Sequence, residues 1–330
     1  MKVSVAVITY NQENTIHQTL DSILSQKGNF KLEVVVGEDC STDSTWQICR
    51  DYEARNPNIV RLLPNTHNLG IMGNFARTYC SCTGDFLCII AGDDYYCDNH
   101  ALEKQVQYLI QHPTVGVMGA NGYSFYVRKS KMEPGLNAAV SEETDTAKDF
   151  FFSRSYPGGV YFRPVGLMIR RELLQYLDFG EMIRRKLPVE DYPMQAILSQ
   201  HTHFACLSDL MVVYRIYKES ATFVSLDDTD YLEYHKGLVE IRRYLNDLFP
   251  DDACITDADL KEYLFYKEFL LYLHRLDYKR AQALIESVDL CIRESAKVHR
   301  AGFFTKSQIH FLLAHISKEY KVGRSLKNNT

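Results

Sequence analysis

The chain predicts an open, doubly wound α/β sheet, mainly parallel, followed by a helical region. Three observations carry that prediction. Runs rich in β-branched residues, such as Val3 to Ile8 and Leu32 to Val36, read as strands buried on both faces. These runs alternate with segments of helical periodicity, which argues for parallel strands joined by crossover helices. From about Thr229 onward strand signals give way to helical periodicity over 229–248, 257–276, 278–297 and 305–322. The expected division is residues 1–225 for the sheet domain and 226–330 for the helical region.

The elements follow in order. The first strand ends in the polar loop Thr9-Tyr10-Asn11-Gln12-Glu13. Asn14 or Thr15 can cap a helix whose apolar residues Ile16, Leu20, Ile23 and Leu24 fall on one face. The second strand ends in Gly37-Glu38-Asp39-Cys40-Ser41-Thr42-Asp43, and Ser41, Thr42 or Asp43 can cap the helix around Trp46 to Tyr52. Ile59 to Leu63 is a third strand, and Asn68-Leu69-Gly70 opens a third helix to about Tyr79. The fourth strand, from Phe86 to Ala91, breaks at Gly92 and delivers Asp93 and Asp94. A helix over Ala101 to His112 follows, then strands at Val115–Met118 and Tyr123–Val127.

Residues 128–160 are mostly polar and read as a mobile segment on the acceptor side. A strand near Val165–Ile169 and a short helix over Arg171–Leu177 come next. Pro193 is tolerated only in the first turn of the helix that continues through Leu198, so Asp191 belongs at that helix's N-terminus. Leu210 to Ile216 is the last strand of the sheet domain.

Composition narrows the class. Hydrophobic residues make up 46% and charged residues 24%, values of a soluble globular protein. The net charge of −5 argues against a general nucleic-acid binder. Nine irregularly spaced cysteines suggest neither a zinc site nor a disulfide framework, and reduced cytosolic thiols are expected. The first residues begin directly as a strand, without a long apolar signal core, and no stretch approaches a membrane span of roughly 20 apolar residues. Neither G-x-G-x-x-G after the first strand nor G-x-x-x-x-G-K-[ST] occurs, which argues against dinucleotide-binding and P-loop sites.

Ligands of open α/β sheets bind at the carboxyl ends of the strands. Thr9-Tyr10-Asn11, Glu38-Asp39 and Asp93-Asp94 all end such strands, so three polar clusters distant in sequence should meet in one crevice. Gly-Asp-Asp is also ordinary turn chemistry, but that explains one cluster better than three. Adjacent carboxylates repel unless a cation joins them. A hard divalent ion carrying a phosphate-bearing ligand would do so.

With these residues in place, the chain resembles the inverting family-2 glycosyltransferases of GT-A fold, over roughly residues 1–220. Val5 to Glu13 resembles that family's first strand and loop, and Glu38-Asp39-Cys40-Ser41-Thr42-Asp43 its D-D-G-S-x-D segment. Asn68-Leu69-Gly70 resembles its N-x-G. Ala91-Gly92-Asp93-Asp94 stands at its metal-binding D-x-D, Glu190-Asp191 at its late E-D pair and Tyr214-Arg215 at its Y-R strand end.

The resemblance implies roles. Thr9, Tyr10 and Glu13 line the nucleotide site, with Asn68 and Gly70 beside it. Asp39 accepts a hydrogen bond from the base, next to Glu38. Asp93 ligates Mn²⁺ or Mg²⁺ through the donor diphosphate, Asp94 lies near the sugar, and Arg215 holds the diphosphate or shapes the pocket. Asp191 is the general base, kept ionised by its helix N-terminus. Two departures stand out: the family usually carries an acid where this chain has Ala91, and many members carry His where it has Tyr217.

The implied activity is inverting transfer of a hexose or N-acetylhexosamine from a nucleotide-diphosphate donor to a hydroxyl of a glycan or lipid-linked acceptor. It belongs to bacterial surface-polysaccharide assembly. A UDP-sugar is expected, with guanine and thymine nucleotides left open. Two other readings compete. A sugar nucleotidyltransferase wants a cation-rich loop after the first strand, which Thr9 to Glu13 does not offer. A non-catalytic sugar-nucleotide-binding protein is suggested by Ala91 and Tyr217. A cytoplasmic location is expected. The basic stretch Lys318 to Lys327 reads as a solvated helix end or as peripheral contact with an anionic inner membrane face.

Overall fold

The computed structural model describes residues 1–137, 140–144, 146–152, 161–217, 229–253, 255–275, 277, 279–280 and 283–284. The chain divides into two compact units, Met1–Val224 with Lys236–Cys254, and Ser225–His235 with Ile255–Thr330.

The first unit opens with strict alternation: β1 (Lys2–Thr9), α1 (Ile16–Leu24), β2 (Lys31–Glu38), α2 (Thr45–Arg55), β3 (Val60–Pro64), α3 (Gly70–Cys80) and β4 (Phe86–Ala91). The chain continues through β5 (Tyr95–Tyr96), α4 (Ala101–Gln111), β6 (Val115–Gly119), β7 (Gly122–Tyr126), β8 (Lys131–Pro134), β9 (Val140–Thr144) and α5 (Thr146–Phe152). Then come β10 (Leu167–Arg170), α6 (Phe179–Arg184), α7 (Asp191–Leu198), β11 (His203–Cys206), β12 (Val212–Ile216) and the long α8 (Tyr231–Leu248). The second unit holds the start of α8, as far as His235, and α9 (Asp257–His274).

The main sheet runs β3-β2-β1-β4-β10-β6-β11-β9. Its first four strands are parallel, as the crossover helices require. β10 then inserts antiparallel between β4 and β6. Burial follows the β-branched pattern. Val3, Val5 and Val7 of β1 are fully enclosed with Val34 and Val36 of β2 and Cys88 and Ile90 of β4. Ile16, Leu20 and Ile23, the periodic face of α1, close over them. Each such side chain contributes about 1.5–3 kcal/mol on burial.

A smaller sheet has the order β5-β12-β7-β8. β12 pairs antiparallel with β5 and parallel with β7, and β7 and β8 form a hairpin. Leu210 and Met211 precede β12 rather than opening it.

Several expectations need correction. The polar stretch 128–160 is not uniformly irregular. β8 forms there because Ser130 takes a left-handed turn (φ 47°) that folds Lys131 back onto Tyr126. α5 forms because Ala147, Phe151 and Phe152 are buried. Residues 138–139, 145 and 153–160 of that stretch lie outside the described residues. α6 was not foreseen, although Asp178 with Glu181 three residues on is a capping signal. Asp178 Oδ1 accepts the Glu181 N–H at 2.9 Å.

Neither Asn14 nor Thr15 caps α1 with its side chain: the Thr15 hydroxyl donates to the Gly92 carbonyl at 3.0 Å, tying the helix start to the end of β4. The expected helices at 278–297 and 305–322, and the basic stretch Lys318 to Lys327, lie outside the described residues apart from isolated positions before 285.

Candidate active site

Strand register brings the polar ends together. β1 pairs with β2 so that Thr9 lies beside Glu38, and with β4 so that Ile8 lies beside Ala91. Thr9 is buried, and its hydroxyl donates to Gln12 Oε1 at 2.8 Å. The Gln12 side chain in turn hydrogen-bonds Asp93. Gly92 permits this approach, since a Cβ there would meet Gln12 Oε1 at 2.4 Å and Thr9 Oγ1 at 2.7 Å.

Asn11 takes a left-handed φ of 51° and clamps the loop after β2. Its N–H donates to Ser41 Oγ at 2.9 Å, and its Oδ1 accepts the Thr42 N–H at 2.8 Å. Glu13 Oε2 accepts the Ser44 N–H at 2.9 Å, while Tyr10 is 46% exposed at the rim.

Of two expected donor contacts, Glu38 is buried and Asn68 exposed, and both make hydrogen bonds within the protein. Glu38 accepts the Ser41 N–H at 2.7 Å, and Asn68 donates to the Asp39 carbonyl at 3.1 Å. Asn68 Oδ1 accepts the Gly70 N–H at 3.0 Å, so Gly70, at φ 72°, completes a turn. Asp39 is buried. Its Oδ1 accepts Asn65 Nδ2 at 2.7 Å and the Leu69 N–H at 2.8 Å. No donor from the described residues reaches its Oδ2. Asn74 braces the same corner by donating to the Gly37 carbonyl at 2.8 Å, and a Cβ on Gly37 would collide with Thr78.

Asp93 and Asp94 separate in role. Asp94 is 2% exposed, and its Oδ1 accepts the Arg215 N–H at 2.8 Å. It therefore anchors β12. Asp93 keeps partial access to solvent. Burial pushes its carboxyl up from the ordinary range, opposed by its own backbone, the Arg215 cation and the Gln12 side chain. For Asp94 the rise is larger, from burial first and the Asp93 charge second. Arg215 is itself buried. Its guanidinium donates to the Asp93 carbonyl and to the Gln18 side chain and lies 4.8 Å from the Tyr95 ring centre. Tyr217 stands within the field of Asp93 and Asp94, its hydroxyl pushed up by burial and then by those charges.

Asp191 is the first residue of α7. Gln195 sets that helix in place by a double hydrogen bond to the backbone of Phe162, 2.8 Å in each direction. The residue after Phe162 is Arg163, whose charge reaches Asp191 and whose guanidinium lies 5.8 Å from the Tyr214 ring centre. β12 is thus the element both halves of the site touch, Tyr214 toward Arg163 and Arg215 toward Asp93.

The helix N-terminus does not hold the Asp191 carboxyl in its ordinary range. Burial outweighs the Tyr192 N–H and Arg163 and pushes Asp191 up to about 6. Burial and the Asp191 charge push Glu190 up to about 8. Both carboxyls of the pair are thus held above the ordinary range, with burial as the first cause.

Sequence reasoning missed Gln12, Gln18, Asn65 and Arg163. Gln12 lay inside a flagged loop. Arg163 carried no signal, because only the Gln195–Phe162 pairing brings it to α7. Among the described residues no group of three His, Cys, Asp or Glu side chains converges to hold a metal. Asp93 alone offers an accessible carboxylate at the end of β4, which suits an ion that brings most of its oxygen ligands with a diphosphate.

A sheet of this order with acids along its carboxyl edge defines the GT-A class. Solved structures share it. Staphylococcus aureus TarS in complex with UDP-GlcNAc superposes with a TM-score of 0.55 at 21% identity, over 82% of this chain and 73% of that one. The mannosyltransferase PcManGT of Pyrobaculum calidifontis, in complex with GDP-Man and Mn²⁺, gives 0.52 at 18% identity, over 98% and 79%. The model of glycosyl transferase family 2 matches residues 4–177, more than half of the sequence, and the chain belongs to that family.

Among curated relatives, an uncharacterized protein of Mycobacterium tuberculosis is 38% identical over 115 residues, 35% of this chain and 33% of that protein. The dTDP-rhamnosyl transferase RfbG of Shigella flexneri is 29% identical over 180 residues, 53% and 56%. The chain thus spans between about a third and just over half of the length of these relatives.

Proposed function

We propose that this protein is an inverting glycosyltransferase that moves a sugar from a nucleoside-diphosphate donor to an acceptor hydroxyl. The observation that carries the reading is the convergence of Thr9, Asp39 and Asp93 on one sheet edge through the register of β1 with β2 and β4. Family membership supports it. Related proteins of this family and fold act on or bind dTDP-, UDP- and GDP-linked sugars.

Asp39 Oδ2 would accept from the base, with Tyr10 and Glu13 at the nucleotide's edge. A UDP-sugar carrying a hexose or N-acetylhexosamine is the donor we favour. Mn²⁺ or Mg²⁺, held by Asp93 together with donor phosphate oxygens, would neutralise charge building on the leaving diphosphate. Asp191 takes the proton of the acceptor hydroxyl as that oxygen attacks the anomeric carbon from the face opposite the leaving group. One displacement inverts the centre. Glu190 stands beside the base, and Arg215 holds the Asp93 loop in shape.

The acceptor we favour is a glycan or lipid-linked glycan of a bacterial surface polymer, at the cytoplasmic membrane face. No helix among the described residues is long and apolar enough to cross a membrane. Ala91, in place of the usual acid, and the internal engagement of Asp94 favour one competing reading, a non-catalytic nucleotide-sugar binder. Incubation with UDP-, GDP- and dTDP-sugars and Mn²⁺ separates the two. Slow release of nucleoside diphosphate that depends on Asp191 supports the transferase. Binding of every donor without turnover for any acceptor supports the binder.

A further inference from the structure

The helix α1 has two working faces. Ile16, Leu20 and Ile23 belong to the core. Thr15, Thr19 and Ser22, with Gln26 just beyond the helix, fall three or four residues apart and share a different face. That second face is polar, and it lies along the segment from Gly92 to Asp98. The Thr15 hydroxyl donates to the Gly92 carbonyl at 3.0 Å, and the Thr19 hydroxyl to the Asp94 carbonyl at 2.7 Å. Ser22 Oγ accepts the Tyr96 N–H at 3.0 Å, and Gln26 Nε2 donates to the Asp98 carbonyl at 2.8 Å. Successive turns of α1 thus take alternate residues of the segment. The repeats nearly match, since a helical turn rises about 5.4 Å and two extended residues span about 6.6 Å.

Asp93 sits inside this seam. Thr19 is fully buried, and its Oγ1 also lies 2.9 Å from the Gly92 carbonyl, so one hydroxyl bridges the carbonyls on either side of Asp93. The Asp93 carbonyl is taken by the Arg215 guanidinium, which also donates to Gln18, the neighbour of Thr19 on α1. All three carbonyls of Gly92-Asp93-Asp94 are therefore held, by α1 directly or through an arginine that α1 engages. This fixes the backbone of Asp93, and the Gln12 side chain reaches its carboxylate.

We propose that Thr19 is a positioning residue for the donor site. It touches neither nucleotide nor ion, and it fixes the Asp93 carboxylate where a divalent ion carrying the donor diphosphate would meet it. The proposal rests on the transferase reading above. Among the described residues no three His, Cys, Asp or Glu side chains converge to share the ion with Asp93. With so few protein ligands, affinity for the ion depends on how well the one carboxylate is placed. Removing a polar partner behind a metal ligand typically weakens the ion about 10–100-fold.

The test is calorimetry of UDP binding, with GDP and dTDP in parallel, once with Mn²⁺ and once with EDTA. The ratio of the two dissociation constants measures what the ion adds. Thr19→Val keeps the shape and removes the hydroxyl. It should cut that ratio about tenfold and leave the metal-free constant unchanged. Thr19→Ser keeps the hydroxyl and should restore the ratio. Glu33→Gln, toward the amino end of β2, controls for lost stability alone: its melting temperature should fall while the ratio holds. Should Thr19→Val fail to fold, Thr15→Val on the same face carries the same expectation.

An unchanged ratio in the valine variant overturns the assignment and leaves the transferase reading standing. So does an equal loss in Glu33→Gln, or a serine variant that does not recover the ratio. An unmodified protein that binds none of the three nucleotides would retire the donor site itself. Binding of equal strength with Mn²⁺ and with EDTA would retire the ion, and the positioning role with it, while leaving the nucleotide site in place.

Discussion

The backbone N–H of Arg215 donates to Asp94 Oδ1 at 2.8 Å across 121 positions of sequence. This bond joins β12 to the loop that ends β4. It also separates two adjacent carboxylates into one buried anchor and one that keeps access to solvent. A buried carboxylate without such a donor would be costly, so the Arg215 N–H supports Asp94 inside the scaffold, while Asp93 stays open to solvent.

Asp191→Asn keeps the shape and removes the proton acceptor. Transfer should fall by roughly 10²–10⁴-fold, the usual contribution of a positioned base. Donor affinity, read by calorimetry, should stay within a few-fold. In the unmodified protein the rate should rise with pH through about 6, because the base works only when unprotonated. A rate already flat from pH 5 upward would remove Asp191 from that role.

Glu190→Gln tests the electrostatics of the pair. Glu190 is pushed from 4.5 to about 8, so the folded state holds its proton more tightly than the unfolded chain does. Its contribution to stability is greatest below the unfolded value and declines as pH rises toward 8. The glutamine variant lacks that decline. Its melting temperature should gain on the unmodified protein between pH 5 and pH 8, by about 2–4 °C per kcal/mol. A constant difference across that range is the contrary result.

Asp93→Asn should abolish metal-dependent donor binding while the fold persists, since Asp93 keeps solvent access and Asp94 carries the anchor. A chelator should reproduce the effect in the unmodified protein. The check is the melting-temperature rise with UDP and Mn²⁺, expected in the unmodified protein and lost in both cases. Full retention of that rise in Asp93→Asn sinks the ligand assignment.

Glu33, far from the site, tests the account of the core. Burial pushes its carboxyl up. Lys2 Nζ at 2.8 Å, the Ser4 hydroxyl and the Thr83 N–H at 2.8 Å outweigh burial and hold it at about 2. With the folded value depressed, its stabilising contribution is present above about 4.5 and is lost as pH falls toward 2. Glu33→Gln should cost about 1–3 kcal/mol at pH 7. The gap to the unmodified protein should narrow in acid unfolding at pH 3. An equal gap at both pH values would contradict this.

Much of the fold was legible locally. Val3 to Ile8, Leu32 to Val36 and Phe86 to Ala91 announce strands because a chain buried on both faces needs unbroken apolar residues. The helices between them announce themselves by period. β8 and β9 did not, because polar strands owe their pairing to neighbours.

The same boundary runs through the site. That acids end the strands was evident, because period and turn chemistry are properties of short segments. Which acid is anchored and which is accessible was not, because Asp93 and Asp94 differ only through Arg215 and Gln12, brought in from elsewhere. The raised proton affinity of Asp191 was not legible for the same reason: a helix end is a local feature, while the burial that acts against it comes from packing. Sequence by itself determined the sheet, its helices and the residues on its carboxyl edge. Tertiary structure alone decided their protonation, their partners and their exposure, since each depends on groups that only folding brings within a few ångströms.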